Sequence, residues 1–477
     1  MAVVYLFALF GGPSALFRDA DAGWHIRAGE RMIAERALPV ADPFSFSKAG
    51  EAWIAWEWAA DVVAGAAHQA AGLSGVAWIY ALAIGAAVWM WFRLSWVAGG
   101  NFLLACLFAA PMLSATNLHW LARPHVFGWL FVLGAVWWCE TGKRAGGNTY
   151  ATIAIVSAVW ANVHGSFFLG PLIALTYGVG SWLRAVLWGG EIRRDFFWAA
   201  LASVAGSSLN PHGWELHRHV FAYLTDSALL DRIGEFQSFN FHADGALQII
   251  LALLIGAAGG FAALSGRRVD RFLLSMIMTA AALRSARMLP VAALVLLPLA
   301  NGSISDVLTH ARFAAGVRRR LDDVLNYGSR LRALDQTLNG WALVPVMALA
   351  MFGVIHAARP AFPADQFPVA ASSVMAALPA EARVFSSDKF GGYLIYRFAG
   401  ERKVFFDGRS DFYGAEFLKS YSRLVQARPG WREEFARWHF THALLPPDYS
   451  LVAALEADGW KEAYRDRTAV LLKGPQS

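Results

Sequence analysis

Residues 1–29 read MAVVYLFALFGGPSALFRDADAGWHIRAG. An apolar run ends at Phe17. Arg18 follows, and then two carboxylates, Asp19 and Asp21, open a stretch with helical amphipathic spacing. The run lacks a basic n-region, and no small-x-small cleavage site precedes Asp19. An uncleaved first membrane helix over 1–17 is therefore expected rather than a signal peptide. It is short for a span, which points to a start a few residues upstream. Ionisable groups at such a boundary are costly unless they face a cavity or one another.

The rest of the chain repeats the apolar signal. Of 477 residues, 57% are hydrophobic and 16% charged, against about 25% charged in soluble domains. The 21 Trp and 33 Phe fit bilayer interfaces. Further spans are expected near 76–97, 101–117, 124–140, 150–167, 169–188, 195–209, 245–265, 271–288, 289–305 and 339–357. The two longest runs, 150–188 and 271–305, are cut at Asn162–Gly165 and at Pro290. This gives about eleven membrane helices.

Basic residues fall between these runs, at Lys143 and Arg144, at Arg193 and Arg194, at Arg267 and Arg268, and in 306–336 from Arg312 to Arg332. Loops rich in Lys and Arg stay in the cytoplasm. The net charge of +6 is thus a topology signal, and no nucleic-acid partner is expected. The N-terminus is placed inside and the end of the chain outside, in a multi-pass membrane protein. Cys106 and Cys139 both lie in apolar runs, which implies neither a disulfide framework nor a cysteine metal site.

Two stretches depart from this pattern. Residues 18–75 form a first outer loop, in which Trp24–Arg36 and Trp56–Ala70 read as helices lying on the membrane surface. A Pro-rich linker, 360–368, then follows the transmembrane domain of residues 1–358. Beyond it, β-type runs at Arg383–Ser386, Lys403–Phe406, Thr441–Leu445 and Ala469–Leu472 alternate with helical patterns. An extracytoplasmic α/β domain over 366–477 is expected.

Topology brings the polar residues to one side. Asp19 and Asp21 follow the first helix; His119, Arg123 and His125 lie between the third and fourth. His164 ends the fifth, Asn210 and His212 follow the seventh, and Arg284 and Arg287 end the ninth. One polar site at the outer face is expected. Two carboxylates at this spacing can share a divalent cation, magnesium or manganese, or one can act as general base; the motif also fits a solvated loop start. His125, His164 and His212 lack local metal-ligand spacing, and hydrogen bonding to a phosphate or sugar is preferred for them. Arg123, Arg284 and Arg287 suit bidentate phosphate binding; snorkelling to lipid headgroups or pairing with Asp and Glu of the outer loops explains them as well. Glu57, between Trp56 and Trp58, reads as a site acid or, in preference, as the polar face of an interfacial helix. Asp407-Gly-Arg-Ser-Asp411 follows a strand end, where α/β folds place binding loops; an Asp–Arg ion pair across a turn explains it equally.

The order of a membrane helix, Asp-x-Asp, a large outer loop, further helices and an outer α/β domain resembles the GT-C superfamily of membrane glycosyltransferases. The strings Asp19–Gly29, Asp42-Pro-Phe-Ser-Phe46, Trp160-Ala-Asn-Val-His-Gly165, Asn210-Pro-His-Gly213 and Phe406–Asp411 are similar to those of a largely uncharacterised bacterial group of GT-C-like proteins. The resemblance implies a polyprenyl-phosphate-linked sugar donor, with Asp19 or Asp21 as catalytic base or metal ligand. It implies that basic residues at outer helix ends hold the lipid phosphate. The Trp-Trp-Asp motif of oligosaccharyltransferases is absent from the sequence, so protein N-glycosylation is not expected.

The reading is therefore glycosyl transfer at the outer face, to a glycolipid, polysaccharide or protein acceptor, in contact with membrane lipids. The rival readings are a flippase for lipid-linked saccharide and a non-catalytic saccharide- or partner-binding protein.

Overall fold

The computed structural model describes residues 11–338 and 340–475. The first ten residues of the expected helix over 1–17 lie outside this range; its remainder, Pro13–Phe17, is a 3-10 turn. The fold is mostly helical. Helix α1 covers Asp21–Glu35 and α2 covers Trp58–Val97. The bundle continues with α3 (Phe102–Asn117), α4 (His125–Glu140), α5 (Gly147–Val163), α6 (Leu169–Trp188) and α7 (Asp195–Ser207). After α8 (Trp214–Thr225) and the short α9 (Ser227–Leu230) come α10 (Ala246–Ser265), α11 (Val269–Arg284), α12 (Leu289–His310), α13 (Ala315–Thr337) and α14 (Leu343–Ala358).

Among the described residues, four helical stretches are long and apolar enough to cross a membrane: Trp58–Val97, Gly165–Trp188, Ala246–Ser265 and Ala286–His310. Three shorter apolar helices, α3, α4 and α14, accompany them. Helix α12 is buried at nearly every position from Leu289 to Ser303, as a helix apolar all round should be; the others wrap it. Extended Ser285 and the 3-10 turn Ala286–Met288, before Pro290, break the 271–305 run, and His164–Phe168 breaks the 150–188 run.

In the outer loop, protein covers helix α1 on two sides. Gly29 abuts the backbone of Asp61, and Gly23 abuts that of Gly392. Small residues on both faces allow this close approach, and Trp24 packs edge-on to Trp53 instead of facing lipid. The second expected surface helix is continuous with the following span, through a kink at Ala71 and Gly72.

The C-terminal domain carries α15 (Val369–Ala376), β1 (Val384–Ser386), α16 (Asp388–Arg397), α17 (Ser410–Val425), α18 (Trp431–Arg437), β2 (His442–Leu445), α19 (Ser450–Ala457), β3 (Lys461–Arg465) and β4 (Val470–Lys473). Its sheet has the order β1-β2-β4-β3, with β1 and β2 parallel and the other pairs antiparallel. The expected strand at Lys403–Phe406 is outside this sheet. It pairs with the first outer loop, where Val404 and residues 44 and 46 exchange backbone hydrogen bonds of 3.0 Å. The domain is thus stitched onto the loop that begins with Asp19.

Candidate active site

The N-terminus of α1 presents the acidic pair. Asp19 Oδ1 accepts the backbone N–H of Asp21 at 2.8 Å, which fixes both carboxylates relative to the first helical turn. Both face Arg123, in the tight loop between α3 and α4. Asp19 Oδ2 lies 2.8 Å from Arg123 Nη1, and Asp21 Oδ2 lies 2.9 Å from Nη2. Nη1 also reaches Glu235 Oε1 at 2.9 Å. The other Glu235 oxygen lies 3.3 Å from Arg287 Nη1. The result is a row of alternating charge: the Asp pair, Arg123, Glu235, Arg287.

Burial and this row set the protonation. Burial works against the Arg123 charge, but Asp19, Asp21 and Glu235 outweigh it and hold its pKa well above the usual value. Burial pushes Asp21 up to about 7; Arg123 opposes the shift, while Asp19 and Glu235 add to it. Burial would raise Glu235 too, but Arg123 and Arg287 together bring it down to about 2. Three carboxylates share Arg123; Glu235 has a second guanidinium and Asp21 does not, so Glu235 is the more acidic of these two.

These groups line a cavity of about 470 Å³. One wall is the start of α1 with Trp53, Trp56 and Glu57; the opposite wall is the C-terminal domain at Asp388, Lys389 and the 406–411 loop. That loop holds the ion pair read from its sequence and also faces the cavity. Arg409 is bidentate to Asp407, with Nε–Oδ1 at 2.8 Å and Nη2–Oδ2 at 2.7 Å, and it reaches Asp42 Oδ1 at 2.8 Å. Its guanidinium lies 4.7 Å from the centre of the Trp53 ring. The strings around Asp42 and Asp407 therefore form one staple between loop and domain. Gly408 lies against the Asp21 carboxylate, leaving no space for a side chain.

A second, mostly apolar pocket of about 190 Å³ adjoins the cavity. Trp129, Val132, Phe168, Leu169 and Pro290 supply its apolar lining, and His119, His125 and His164 face it. His125 Nε2 donates to the His119 carbonyl at 2.8 Å, with the proton on that nitrogen. Burial lowers His119 to about 4, so it is neutral near pH 7. The two spaces share Trp56, Glu57, Tyr223 and Arg287.

Of the expected site residues, Asp19, Asp21, Arg123 and Arg287 line the cavity, and His119, His125 and His164 line the adjoining pocket. Three do not join them. Arg284 ends α11 exposed. Asn210 and His212 build a turn: Asn210 Oδ1 accepts His212 N–H at 2.8 Å, and its amide donates to Ser207 and Gly213 carbonyls. Glu57 lies where the site-acid alternative puts it. It is 9% exposed and faces both spaces, 3.4 Å from His164 Nε2 and 3.8 Å from His25 Nε2. Burial pushes it up to about 7, against the pull of Arg287 and Arg123.

Several groups escaped the sequence reading. His25 Nδ1 is 2.6 Å from Asp61 Oδ1, and both side chains are 1% exposed. The spacing offered a signal, since Glu57 and Asp61 are four apart and share a helix face. Glu235 lies in a loop with no pattern to mark it. His219 on α8 meets Asp411 at 3.1 Å, and Tyr223 OH meets Ser410 Oγ at 3.1 Å, closing the cavity between bundle and domain.

Asp19 and Asp21 already share the Arg123 guanidinium, and among the described residues no group of three His, Cys, Asp or Glu could hold a metal. Arg123 supplies the positive charge between the carboxylates.

No family model and no curated protein matches the chain. Solved structures do. The oligosaccharyltransferase of Archaeoglobus fulgidus, in its apo form, aligns over 93% of this chain and 68% of its own, with a TM-score of 0.53 and 12% identity. ArnT from Cupriavidus metallidurans, solved bound to undecaprenyl phosphate, aligns over 99% of this chain and 96% of its own, with a TM-score of 0.51 and 14% identity. The fold is that of the GT-C membrane glycosyltransferases. At these identities the likeness is one of fold. Within this GT-C fold, the Asp-x-Asp pair opens the first described helix, and a C-terminal domain closes over it.

Proposed function

We propose that this protein is a membrane glycosyltransferase that takes its sugar from a polyprenyl-phosphate donor at the extracytoplasmic face. The observation that carries the reading is the pairing of two unlike spaces. A polar cavity holding Asp21 and Arg123 meets an apolar pocket at a seam carrying Arg287. A donor of this class is itself a sugar, a phosphate and an apolar chain, in that order. ArnT, of the same fold, was solved with undecaprenyl phosphate.

In this reading the sugar sits in the cavity and the isoprenoid in the pocket. The phosphate lies at the seam beside Arg287, whose one ion pair among the described residues is the 3.3 Å contact to Glu235. A pKa of about 7 suits Asp21 as the base that takes a proton from the acceptor hydroxyl. Asp19 holds Arg123 in place, and Arg123 stabilises the negative charge that develops. Trp53, Trp56 and Tyr223 supply flat apolar faces for a saccharide.

The same proposal covers topology. About eleven helices cross a bacterial inner membrane. The N-terminus is cytoplasmic, and the basic segment 312–332 on and before α13 is inside. The C-terminal domain is outside, with the cavity. The test is incubation of purified protein with radiolabelled undecaprenyl-phosphate sugars and a membrane-lipid or polysaccharide extract as acceptor. Transfer of label to the acceptor supports the reading; retention of all label on the donor, across a panel of sugars, overturns it.

A further inference from the structure

Glu57 differs from the three carboxylates of the charge row, Asp19, Asp21 and Glu235, which all contact Arg123. Among the described residues, the ion-pair contacts of Glu57 are two imidazoles, at 3.4 and 3.8 Å. It also has a distinct place. Asp21 lines the polar cavity, whereas Glu57 lines both the cavity and the apolar pocket, as Arg287 does.

Resting on the glycosyl-transfer reading above, we propose that Glu57 is the general acid of the reaction, delivering its proton to the departing phosphate, with His25 and Asp61 as its positioning residues. A donor whose chain fills the pocket and whose sugar fills the cavity has its phosphate at the seam. The oxygen between sugar and phosphorus then lies beside Glu57. An ionised carboxylate there would repel the phosphate, whereas a protonated one donates to it.

The step balances. The bond between the anomeric carbon and the phosphate oxygen breaks, and its electron pair stays on that oxygen, which takes the Glu57 proton. The acceptor oxygen bonds to the anomeric carbon, and its proton passes to Asp21. Polyprenyl hydrogen phosphate leaves. Glu57 regains a proton and Asp21 loses one to water in the cavity. Asp61 bonds His25 Nδ1 at 2.6 Å, so the imidazole presents a fixed Nε2 toward Glu57 Oε2.

The protonated form of Glu57 is supported by its surroundings. His25 faces it from α1, His164 from the turn between α5 and α6, Asp61 from its own helix, and Asp411 from the C-terminal domain. Arg123 and Arg287 face it from the loops after α3 and α11. Burial outweighs these two guanidinium groups, and the residue titrates at about 7. Asp21 must be ionised and Glu57 protonated, so activity falls on both sides of neutrality. The alkaline limb belongs to Glu57 and the acid limb to Asp21.

The test uses purified full-length protein, kcat–pH profiles with a radiolabelled undecaprenyl-phosphate sugar, and binding of undecaprenyl phosphate. E57Q should bind undecaprenyl phosphate as the wild type does, lose about 10²-fold or more in kcat, and lose the alkaline limb. E57D should retain the limb at reduced kcat. H25N should shift the limb without removing it. Wild-type kcat in E57Q, an alkaline limb that persists in E57Q, or loss of undecaprenyl phosphate binding would each overturn the assignment while leaving the glycosyltransferase reading in place. Absence of transfer by the wild type would overturn that reading, and this assignment with it.

Discussion

The backbone of Gly408, in the C-terminal domain, lies directly against the carboxylate of Asp21, at the first turn of α1. A Cβ at position 408 would overlap Asp21 Oδ1. The domain is thus part of the cavity wall, and its glycine sets where the carboxylate sits. Gly408→Ala must push either Asp21 or the 406–411 loop. A misfit of this kind costs about 1–3 kcal/mol. Transfer activity should fall about tenfold or more, since small displacements of a reacting group have large effects. Activity and thermal unfolding measured on the same preparation check this. Unchanged activity would mean that Asp21 need not be held there.

Arg123 is the shared counter-ion of three carboxylates. Arg123→Ala leaves Asp19, Asp21 and Glu235 facing one another without the guanidinium that all three contact. Removing one partner from a buried pair costs about 3–5 kcal/mol, so the midpoint of thermal unfolding should drop strongly. Arg123→Lys should recover only part of the loss, because a point charge does not reproduce contacts at both Nη1 and Nη2. A lysine variant as stable as the wild type would show that the forked geometry is not used.

The state of Glu57 has a stability signature. Its pKa rises from the usual 4.5 to about 7 in the folded protein. Between these values the folded state binds more protons than the unfolded one, so this group's contribution to stability falls as pH rises. The slope approaches about 1.4 kcal/mol per pH unit. Glu57→Gln lacks the ionised form. The difference in unfolding midpoint, variant minus wild type, should be more positive at pH 8 than at pH 5. An equal difference at both pH values would place the folded-state pKa near its usual value.

Most helix positions were legible because apolar runs of this length have few other solutions. The convergence of Asp19, Arg123, His164 and Arg287 followed from which side of each helix they ended on. What the sequence hid depended on tertiary contacts. Glu57 looks like a polar-face residue because its neighbours in sequence are tryptophans, and only packing against His25 and His164 turns it inward. Strand β3 carries no alternating burial and so left no period-two pattern. Lys403–Phe406 has strand composition but finds its partner in the outer loop, which a local pattern cannot encode. Arg284 and Arg287 looked equivalent; the 3-10 turn after Arg284 separates them, one outward and one to the seam.

Topology can be tested with single cysteines in a Cys106→Ser background, since Cys106 is exposed and Cys139 buried. Ser329 on α13 and Ser450 at the start of α19 are both exposed. In intact spheroplasts an impermeant thiol reagent should label position 450 and not position 329. The opposite pattern would invert the proposed orientation.

The most direct measurement of the central claim is sugar transfer by Asp21→Asn beside the wild type, in purified protein with a radiolabelled undecaprenyl-phosphate sugar. The substitution keeps the shape at Gly408 and removes the proton acceptor. Undecaprenyl phosphate binding should stay close to that of the wild type, with turnover lower by about two to four orders of magnitude. Transfer by Asp21→Asn at the wild-type rate would contradict it.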